Sequence, residues 1–188
     1  MSDEAKMVQS IAAECRRYKG LGEAAIEQTR DGELSAAGPG GGNSMAVLVW
    51  HLAGNFASRF DHFLTEDGEK PWRQRESEFE ARSVTRAELL AKWEAGWAVL
   101  FAALAELSDA DLQKTMAIRK QPLRVYEALH RSLAHCSYHV GQMTYLAKIF
   151  RGGEWKWQSI PPGGSAAYNQ NPTREKPGGA TPPTTYAG

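Results

Sequence analysis

The segment that decides the fold reads His130-Arg-Ser-Leu-Ala-His-Cys-Ser-Tyr-His-Val-Gly-Gln142. It lies in a longer stretch, from about residue 123 to 150, whose apolar residues recur at the three- and four-residue spacing of an amphipathic helix. His135 and His139 are four residues apart, so their imidazoles project from the same face of this helix. Gln142 falls on that face as well. The segment therefore predicts a helix that presents two imidazoles side by side.

A third histidine lies in a helical pattern far upstream, from about residue 44 to 64. The apolar stripe of this pattern comprises Met45, Leu48, Leu52, Phe56, Phe60 and Phe63. A polar column at spacings of four, three and four runs beside it and comprises His51, Asn55, Ser58 and His62. If the two helices pack together, His51 can converge with His135 and His139. Three neutral nitrogen ligands with an open coordination position describe a catalytic divalent-metal site.

The remaining patterns predict an all-α protein, a four-helix bundle with a small β-hairpin before the last helix. Further helical patterns cover residues 3–30 and about 85–107, and the capping box Thr85-Arg-Ala-Glu88 opens the latter. Residues 115–125 form a β-like segment that favours a hairpin. The long connections at 31–43 and 65–84 permit crossovers between the helices.

Composition and charge narrow the class of protein. The chain has 188 residues, of which 42% are hydrophobic and 23% charged, enough for one domain with a sizeable core. Lys+Arg and Asp+Glu balance at 22 each, so no basic excess indicates nucleic acid or an anionic membrane surface as a partner. Two cysteines without a disulfide framework, no signal-peptide core and no membrane-length apolar run lead us to expect a cytoplasmic protein.

Large aromatic residues outside the helical patterns predict further packing. Trp72 and Phe79 are expected to anchor the charged 65–84 connection on the bundle. Residues 153–169 are expected to pack on the body through Trp155, Trp157, Ile160 and Tyr168. We place the bundle domain at residues 1–162 and an extended tail rich in glycine and proline at 163–188, with residues past about 171 mobile.

The metal interpretation has an ordinary alternative. A histidine pair at this spacing also occurs for packing in buried helices, and it is His51 that favours a metal. Zinc is the first choice for imidazole ligands, with nickel, iron and manganese as further candidates. Asn55 and Gln142 could hydrogen-bond a bound water or orient an imidazole through its second nitrogen. Equally, they could be buried amides that satisfy each other across the two helices.

Other polar residues are expected to lie outside the cluster. His130 points about 140° away from His135, and His62 lies about 16 Å along the helix axis from His51. Tyr138 is interpreted as a packing residue rather than a proton donor, and Cys136 as a core residue. Acidic residues are interpreted as lying on solvated faces, which argues against a ferritin-like di-iron site. The sequence contains no Walker A, GxSxG or HExxH motif.

Four stretches carry a resemblance to a known family. They are Trp50-His-Leu-Ala-Gly-Asn55, Phe63-Leu-Thr-Glu-Asp-Gly-Glu-Lys-Pro-Trp72, Leu133-Ala-His-Cys-Ser-Tyr-His-Val-Gly-Gln142 and Ser159-Ile-Pro-Pro-Gly-Gly-Ser165. In these stretches the chain resembles the DinB superfamily, and above all its branch known as DUF1572, over residues 5–169 or so. The TEDGEKPW loop and the HxxxHxGQ motif together make the resemblance specific.

The resemblance implies a four-helix bundle with up-down-down-up connectivity, usually a homodimer. It also implies a three-histidine metal site, carried here by His51, His135 and His139. Better-studied relatives transfer low-molecular-weight thiols such as bacillithiol, or isomerise maleylpyruvate with mycothiol. These activities belong to other branches, so their extension to this chain is an analogy of fold and metal site.

Two functional hypotheses remain. The first is a divalent-metal-dependent enzyme, a hydrolase or a low-molecular-weight-thiol transferase acting on a small molecule. The second is a non-catalytic dimeric bundle that binds metal or a ligand. A structural zinc usually has four protein ligands, and the three found here favour the enzyme. The last helix carries apolar residues on a second face, among them Leu146 and Ile149, and this too predicts a homodimer.

Overall fold

The computed structural model describes residues 6–172. This part of the chain is mostly helical, with five α-helices and one two-stranded antiparallel hairpin. The elements are α1 Met7–Gln28, α2 Met45–Phe60, α3 Arg86–Glu106, β1 Thr115–Ile118, β2 Gln121–Arg124, α4 Val125–Arg151 and α5 Ser165–Asn169. The predictions of a mostly helical fold and of a hairpin before the last long helix are confirmed. The short α5 was not expected, and the segment predicted to be mobile lies largely outside the described residues.

The starts of two helices follow from local sequence. The Ser44 hydroxyl accepts a hydrogen bond from the backbone N–H of Val47 at 3.2 Å and so caps the first turn of α2. At the start of α3 the Thr85 hydroxyl accepts from the N–H of Glu88 at 3.2 Å, and the Glu88 carboxylate accepts from the N–H of Thr85 at 2.8 Å. The capping box predicted at Thr85 is therefore confirmed.

The four long helices pack in two pairs. α2 lies along α3 and α1 lies along α4, while contacts of α2 with α4 and of α1 with α3 join the pairs. The largest fully buried side chains between them include Phe56, Leu52, Trp93, Trp97, Leu129 and Met143. A Cβ atom on Gly96 of α3 would lie only 2.6 Å from the Cα of Ala53 in α2. Glycine at this position therefore allows the two backbones to approach closely.

The connection between α2 and α3, residues 61–85, is tied to the hairpin. The Asp67 carboxylate accepts hydrogen bonds from the backbone N–H groups of Arg119 at 2.8 Å and Lys120 at 2.6 Å. These two residues form the hairpin turn and have φ angles of 54° and 61°, as a mirror-image turn requires. The N–H of Gly68 donates to the carbonyl of Ala117 at 2.8 Å. The acidic turn of the connection therefore fixes the hairpin in place.

The same connection folds back onto α2 through the turn Arg75–Phe79. The Phe79 ring lies against the second turn of α2, with its centroid 4.6 Å from that of the His51 ring. Trp72, in contrast, is 54% exposed. The prediction that Trp72 anchors the connection is therefore wrong. The buried Lys70, which pairs with the exposed Glu66, and the packing of Phe79 hold the connection instead.

The C-terminal segment packs on the body, as predicted. Trp155 contacts the core, and Tyr168 is 9% exposed. The Gln28 side chain forms two hydrogen bonds with the backbone of Lys156, at 2.8 and 3.0 Å. Lys148 lies over the Trp157 ring, 4.2 Å from its centroid. These contacts join the segment to α1 and α4.

None of the helices between residues 6 and 172 combines the length and the apolar character needed to cross a bilayer.

Candidate metal centre

The packing of α2 against α4 brings three imidazoles together. The Nε2 atom of His135 lies 3.2 Å from Nε2 of His51 and 3.1 Å from Nε2 of His139. One nitrogen of each residue lies within 4.8 Å of the others. His51 and His139 are 5% and 8% exposed, and His135 is half-buried. The half-buried ring of His135 therefore marks the side from which the cluster is reached.

These distances suit ligands of one ion. Two nitrogens bound at about 2.0–2.1 Å to a tetrahedral zinc lie about 3.3 Å apart. The observed separations of 3.1 and 3.2 Å are close to this value. Among the residues described, the cluster holds these three side chains and no fourth carboxylate, thiol or imidazole. The arrangement is thus a set of three nitrogen donors with room for a further ligand.

A buried carboxylate orients His51. Nδ1 of His51 donates to Oε2 of Glu78 at 2.9 Å, so the lone pair of the neutral ring lies on Nε2 and faces the cluster. The Arg73 guanidinium holds the same carboxylate with two hydrogen bonds, of 2.8 and 2.9 Å. Gly54 provides the space, because a Cβ atom there would lie 2.2 Å from Oε1 of Glu78. Residues of the connection therefore fix the tautomer of a residue of α2.

An amide orients His139 in the same way. Nδ1 of His139 donates to Oε1 of Gln142 at 2.9 Å, which leaves the lone pair on Nε2. Two lone pairs thus face Nε2 of His135, an arrangement that a proton or a cation between the rings stabilises. The Nδ1 atom of His135 is buried and has no hydrogen-bond partner among residues 6–172. The donor chemistry of the cluster fits a divalent ion of borderline softness, such as zinc.

The surroundings of His135 and His139 favour the neutral form of both imidazoles. Burial is the largest cause that lowers the pKa of His135 from 6.5 to about 3, and the neighbouring His139 and His51 contribute to the same shift. Burial also lowers the pKa of His139, against the hydrogen bond to Gln142. Burial alone raises the pKa of Glu78, but the hydrogen bonds from His51 and Arg73 outweigh it and hold the net value below the usual range. Neutral imidazoles beside an ionised carboxylate are the protonation states that metal binding needs.

The other candidates from the sequence lie in different surroundings. Asn55 is half-buried, and no hydrogen bond found in residues 6–172 joins it to the three histidines. His130 is exposed, and His62 pairs with Asp61 at 2.9 Å on the surface. Tyr138 is 64% exposed, so the prediction that it packs is wrong. It lies on the outer face of α4, with its ring 5.0 Å from that of His139.

Cys136 lies in the core, where burial raises the pKa of its thiol. A protonated buried thiol is neither a nucleophile nor a ligand. The interpretation of Cys136 as a core residue is therefore confirmed.

Three residues of the centre were missed in the sequence. Glu78 is 7% exposed, which contradicts the interpretation that the acidic residues lie on solvated faces. It follows a charged run without helical period, so no pattern distinguishes it from its neighbours Glu76 and Glu80. Arg73 lies in the same charged run. Gly54 stands out only as a residue of low helix propensity within a predicted helix. The one available signal was the position of Glu78 beside the apolar Phe79.

Comparisons with known proteins agree with the pattern of motifs. The family model described as "Protein of unknown function (DUF1572)" matches residues 3–164. Searches of the curated proteins and of the solved structures found no match. The family match spans both helices of the three-histidine cluster and the connection that supplies Glu78. The chain therefore belongs to the DUF1572 family.

Proposed function

We propose that this protein is a divalent-metal-dependent enzyme of the DinB superfamily, with His51, His135 and His139 as the metal ligands. Zinc is the first choice, and nickel, iron and manganese are alternatives. The superfamily assignment includes a four-helix bundle with up-down-down-up connectivity. The pairing of α1 with α4 and of α2 with α3 supports that assignment.

One observation carries the proposal. The Nε2 atoms of three imidazoles from two helices lie 3.1 and 3.2 Å apart, and Glu78 and Gln142 turn the lone pairs of two of them inward. A packing histidine needs its nitrogens satisfied, but it does not need two lone pairs directed at a third nitrogen. A metal ligand needs that orientation, with its second nitrogen donating to a carboxylate or amide oxygen.

The open position favours catalysis over a structural role. An ion held there supplies Lewis acidity, which lowers the pKa of a water or a thiol towards neutrality. The chain itself excludes water from one side of the cluster, where His51 and His139 are buried, and leaves the side of His135 accessible. Either a water or a low-molecular-weight thiol fits this description, which leaves a hydrolase and a thiol transferase as the two reaction types.

The test compares metal-dependent rates. Protein loaded with zinc, nickel, iron(II) or manganese is assayed for hydrolysis of an activated ester and for conjugation of cysteine or glutathione to an aryl halide. We expect a metal-dependent rate in the wild type and in His130→Ala, an exposed position on the same helix. Loss of a ligand in His135→Ala should lower that rate by at least about 100-fold.

The absence of a metal-dependent rate favours the second hypothesis, a non-catalytic bundle. If metal binds stoichiometrically but the wild type is no faster than His135→Ala with any of these substrates, the enzyme assignment is contradicted. The protein is then better described as a non-catalytic bundle that binds metal or a ligand.

A further inference from the structure

A cleft of about 490 Å³ is lined in part by Glu78, the hydrogen-bond partner of His51, but by none of the three histidines. It lies between α2, the connection 61–85 and α3. A volume of this size falls within the usual range of small-molecule sites. The side chains that give it chemical character are Trp50, Trp72, Arg73, Arg82 and Lys92.

Two indole rings supply flat apolar surface in this cleft. Trp50 is half-buried in α2, and Trp72 is 54% exposed at the edge of the connection. Indole faces bind planar rings by stacking and bind cations through their quadrupole. The exposure of Trp72 is unusual for a tryptophan in a loop that is otherwise pinned by buried contacts. A planar ligand would cover apolar surface that water covers now.

Two cations in the cleft are held in place without a carboxylate partner of their own. The guanidinium of Arg82 lies 4.9 Å from the centroid of the Trp50 ring and donates to the backbone carbonyls of Ser77 and Glu80. The ammonium of Lys92 lies 5.9 Å from the same centroid. Neither Arg82 nor Lys92 forms an ion pair within residues 6–172. Their remaining N–H groups are free to bind an anion.

The charged side chains that line the cleft carry a net positive charge. Arg73 and Glu78 neutralise each other through their two hydrogen bonds. Glu80 is exposed and, among the described residues, is the remaining carboxylate in the lining. Arg82 and Lys92 therefore face one opposing charge. An anion entering the cleft gains more from the two cations than it loses to Glu80.

We propose that this cleft binds a small aromatic carboxylate. Its ring lies against the exposed indole of Trp72, and its carboxylate accepts hydrogen bonds from Arg82 and Lys92, which lie over the Trp50 ring. The proposal does not depend on the metal-dependent activity, since none of the three histidines lines the cleft. Glu78 borders both sites, so occupancy of the cleft and metal binding are expected to influence each other reciprocally.

The test is calorimetric titration of the full chain with naphthoate at low salt, beside its neutral amide and beside acetate. We expect saturable binding of one naphthoate per chain, at least about tenfold tighter than the amide, because a charge-assisted hydrogen bond is worth about that factor. Acetate, which lacks the ring, should bind more weakly still. Thermal melts of each variant confirm that it is folded.

Variants assign the binding to the cleft. Lys92→Gln should weaken naphthoate binding about tenfold, and Trp72→Ala, at an exposed position, about three- to tenfold. Glu80→Gln should instead tighten naphthoate binding about two- to fivefold, because it removes a negative charge that repels the carboxylate of naphthoate. Lys120→Gln is the matched control, because this exposed lysine on the hairpin does not line the cleft.

Three results would overturn the proposal. They are the absence of saturable binding up to roughly 10 mM, equal affinity for naphthoate and its amide, and equal affinity of Lys92→Gln and Lys120→Gln. Wild-type affinity in both Lys92→Gln and Trp72→Ala would likewise contradict the proposal, because it would place naphthoate elsewhere on the protein.

Discussion

Glu78 serves two partners with one carboxylate, the Nδ1 group of His51 and the guanidinium of Arg73. The side chain of Arg73 is 2% exposed and that of Glu78 is 9% exposed. Buried charges of this kind depend on each other, since either one left alone would lack both solvent and counter-charge. At the scale of single residues, the orientation of His51 thus depends on an ion pair supplied by a loop.

Glu78→Gln should weaken metal binding by about 10- to 100-fold, the usual effect of removing the hydrogen-bond partner that orients a metal-binding histidine. It should also lower the free energy of unfolding by about 3 kcal/mol, because the buried guanidinium of Arg73 loses its counter-charge. Competition with a metal chelator measures the first effect and urea unfolding the second.

The double variant Arg73→Met/Glu78→Gln separates the two effects. We expect it to recover most of the lost stability, since no buried charge is left unpaired, but not the metal affinity. This account of the ion pair would be contradicted if Glu78→Gln were as stable as the wild type, or if the double variant were less stable than Glu78→Gln.

Protonation of His135 makes the stability of the metal-free protein depend on pH. Burial, together with the neighbouring His139 and His51, lowers the pKa of His135 from 6.5 to about 3 in the folded state. Between these values the unfolded chain binds a proton that the folded chain does not, so stability is full above about pH 6.5 and falls with pH towards about 3. The urea midpoint should therefore decrease between about pH 7 and pH 5, above the range in which carboxylates titrate. The decrease should be smaller in His135→Gln, and a midpoint that rises on acidification would refute the assignment.

The three histidines could be found in the sequence because helical periodicity places residues on faces before any packing is known. His135 and His139 share a face through their spacing, and His51 lies beside an apolar stripe. Glu78, Arg73 and Gly54 could not be found in this way. Their contact depends on how an irregular connection folds back on α2, and such a path has no period to detect.

At the scale of elements, α2 is the helix on which the site depends. One side carries His51 towards α4, and another carries Ala53 towards Gly96 of α3. The helices were predictable from apolar stripes and from the Thr85 capping box. The short α5 was not, because its five residues carry too few apolar positions to show a period.

Gly96→Ala tests the close packing of α2 on α3. The new methyl group would lie 2.6 Å from the Cα of Ala53, so the helices must separate. We expect a loss of about 2–3 kcal/mol in the free energy of unfolding, as for other overpacked sites. Gly141→Ala in α4 is the control, since no atom of the described residues lies within 4 Å of its added Cβ atom. It should stabilise the protein by up to about 1 kcal/mol through helix propensity. Equal effects of the two substitutions would count against the packing argument.

At the scale of the whole molecule, α4 has a face that the rest of residues 6–172 leaves open. Tyr138, Tyr145 and Ile149 are 64%, 68% and 40% exposed on this helix. Leu146, in contrast, is 5% exposed, so it belongs to the core of its own chain and not to a second face as the sequence suggested. The two exposed tyrosines and Ile149 make this face the candidate surface for self-association.

The homodimer remains a prediction, which the mass of the protein in solution tests. Light scattering at micromolar concentration should give twice the 20.7 kDa of one chain. Tyr145→Glu/Ile149→Glu should shift the mass to that of the monomer, because two carboxylates cannot be buried in an apolar interface without partners. A wild-type mass of one chain would exclude the dimer.

The central claim is that His51, His135 and His139 bind one divalent ion. Elemental analysis of protein purified without metal affinity steps tests it most directly, with wild type, His135→Ala and His130→Ala prepared in parallel. The account predicts one ion per chain in the wild type and in His130→Ala, whose altered side chain is exposed on the same helix, and almost none in His135→Ala. Equal metal content in the wild type and His135→Ala would contradict it.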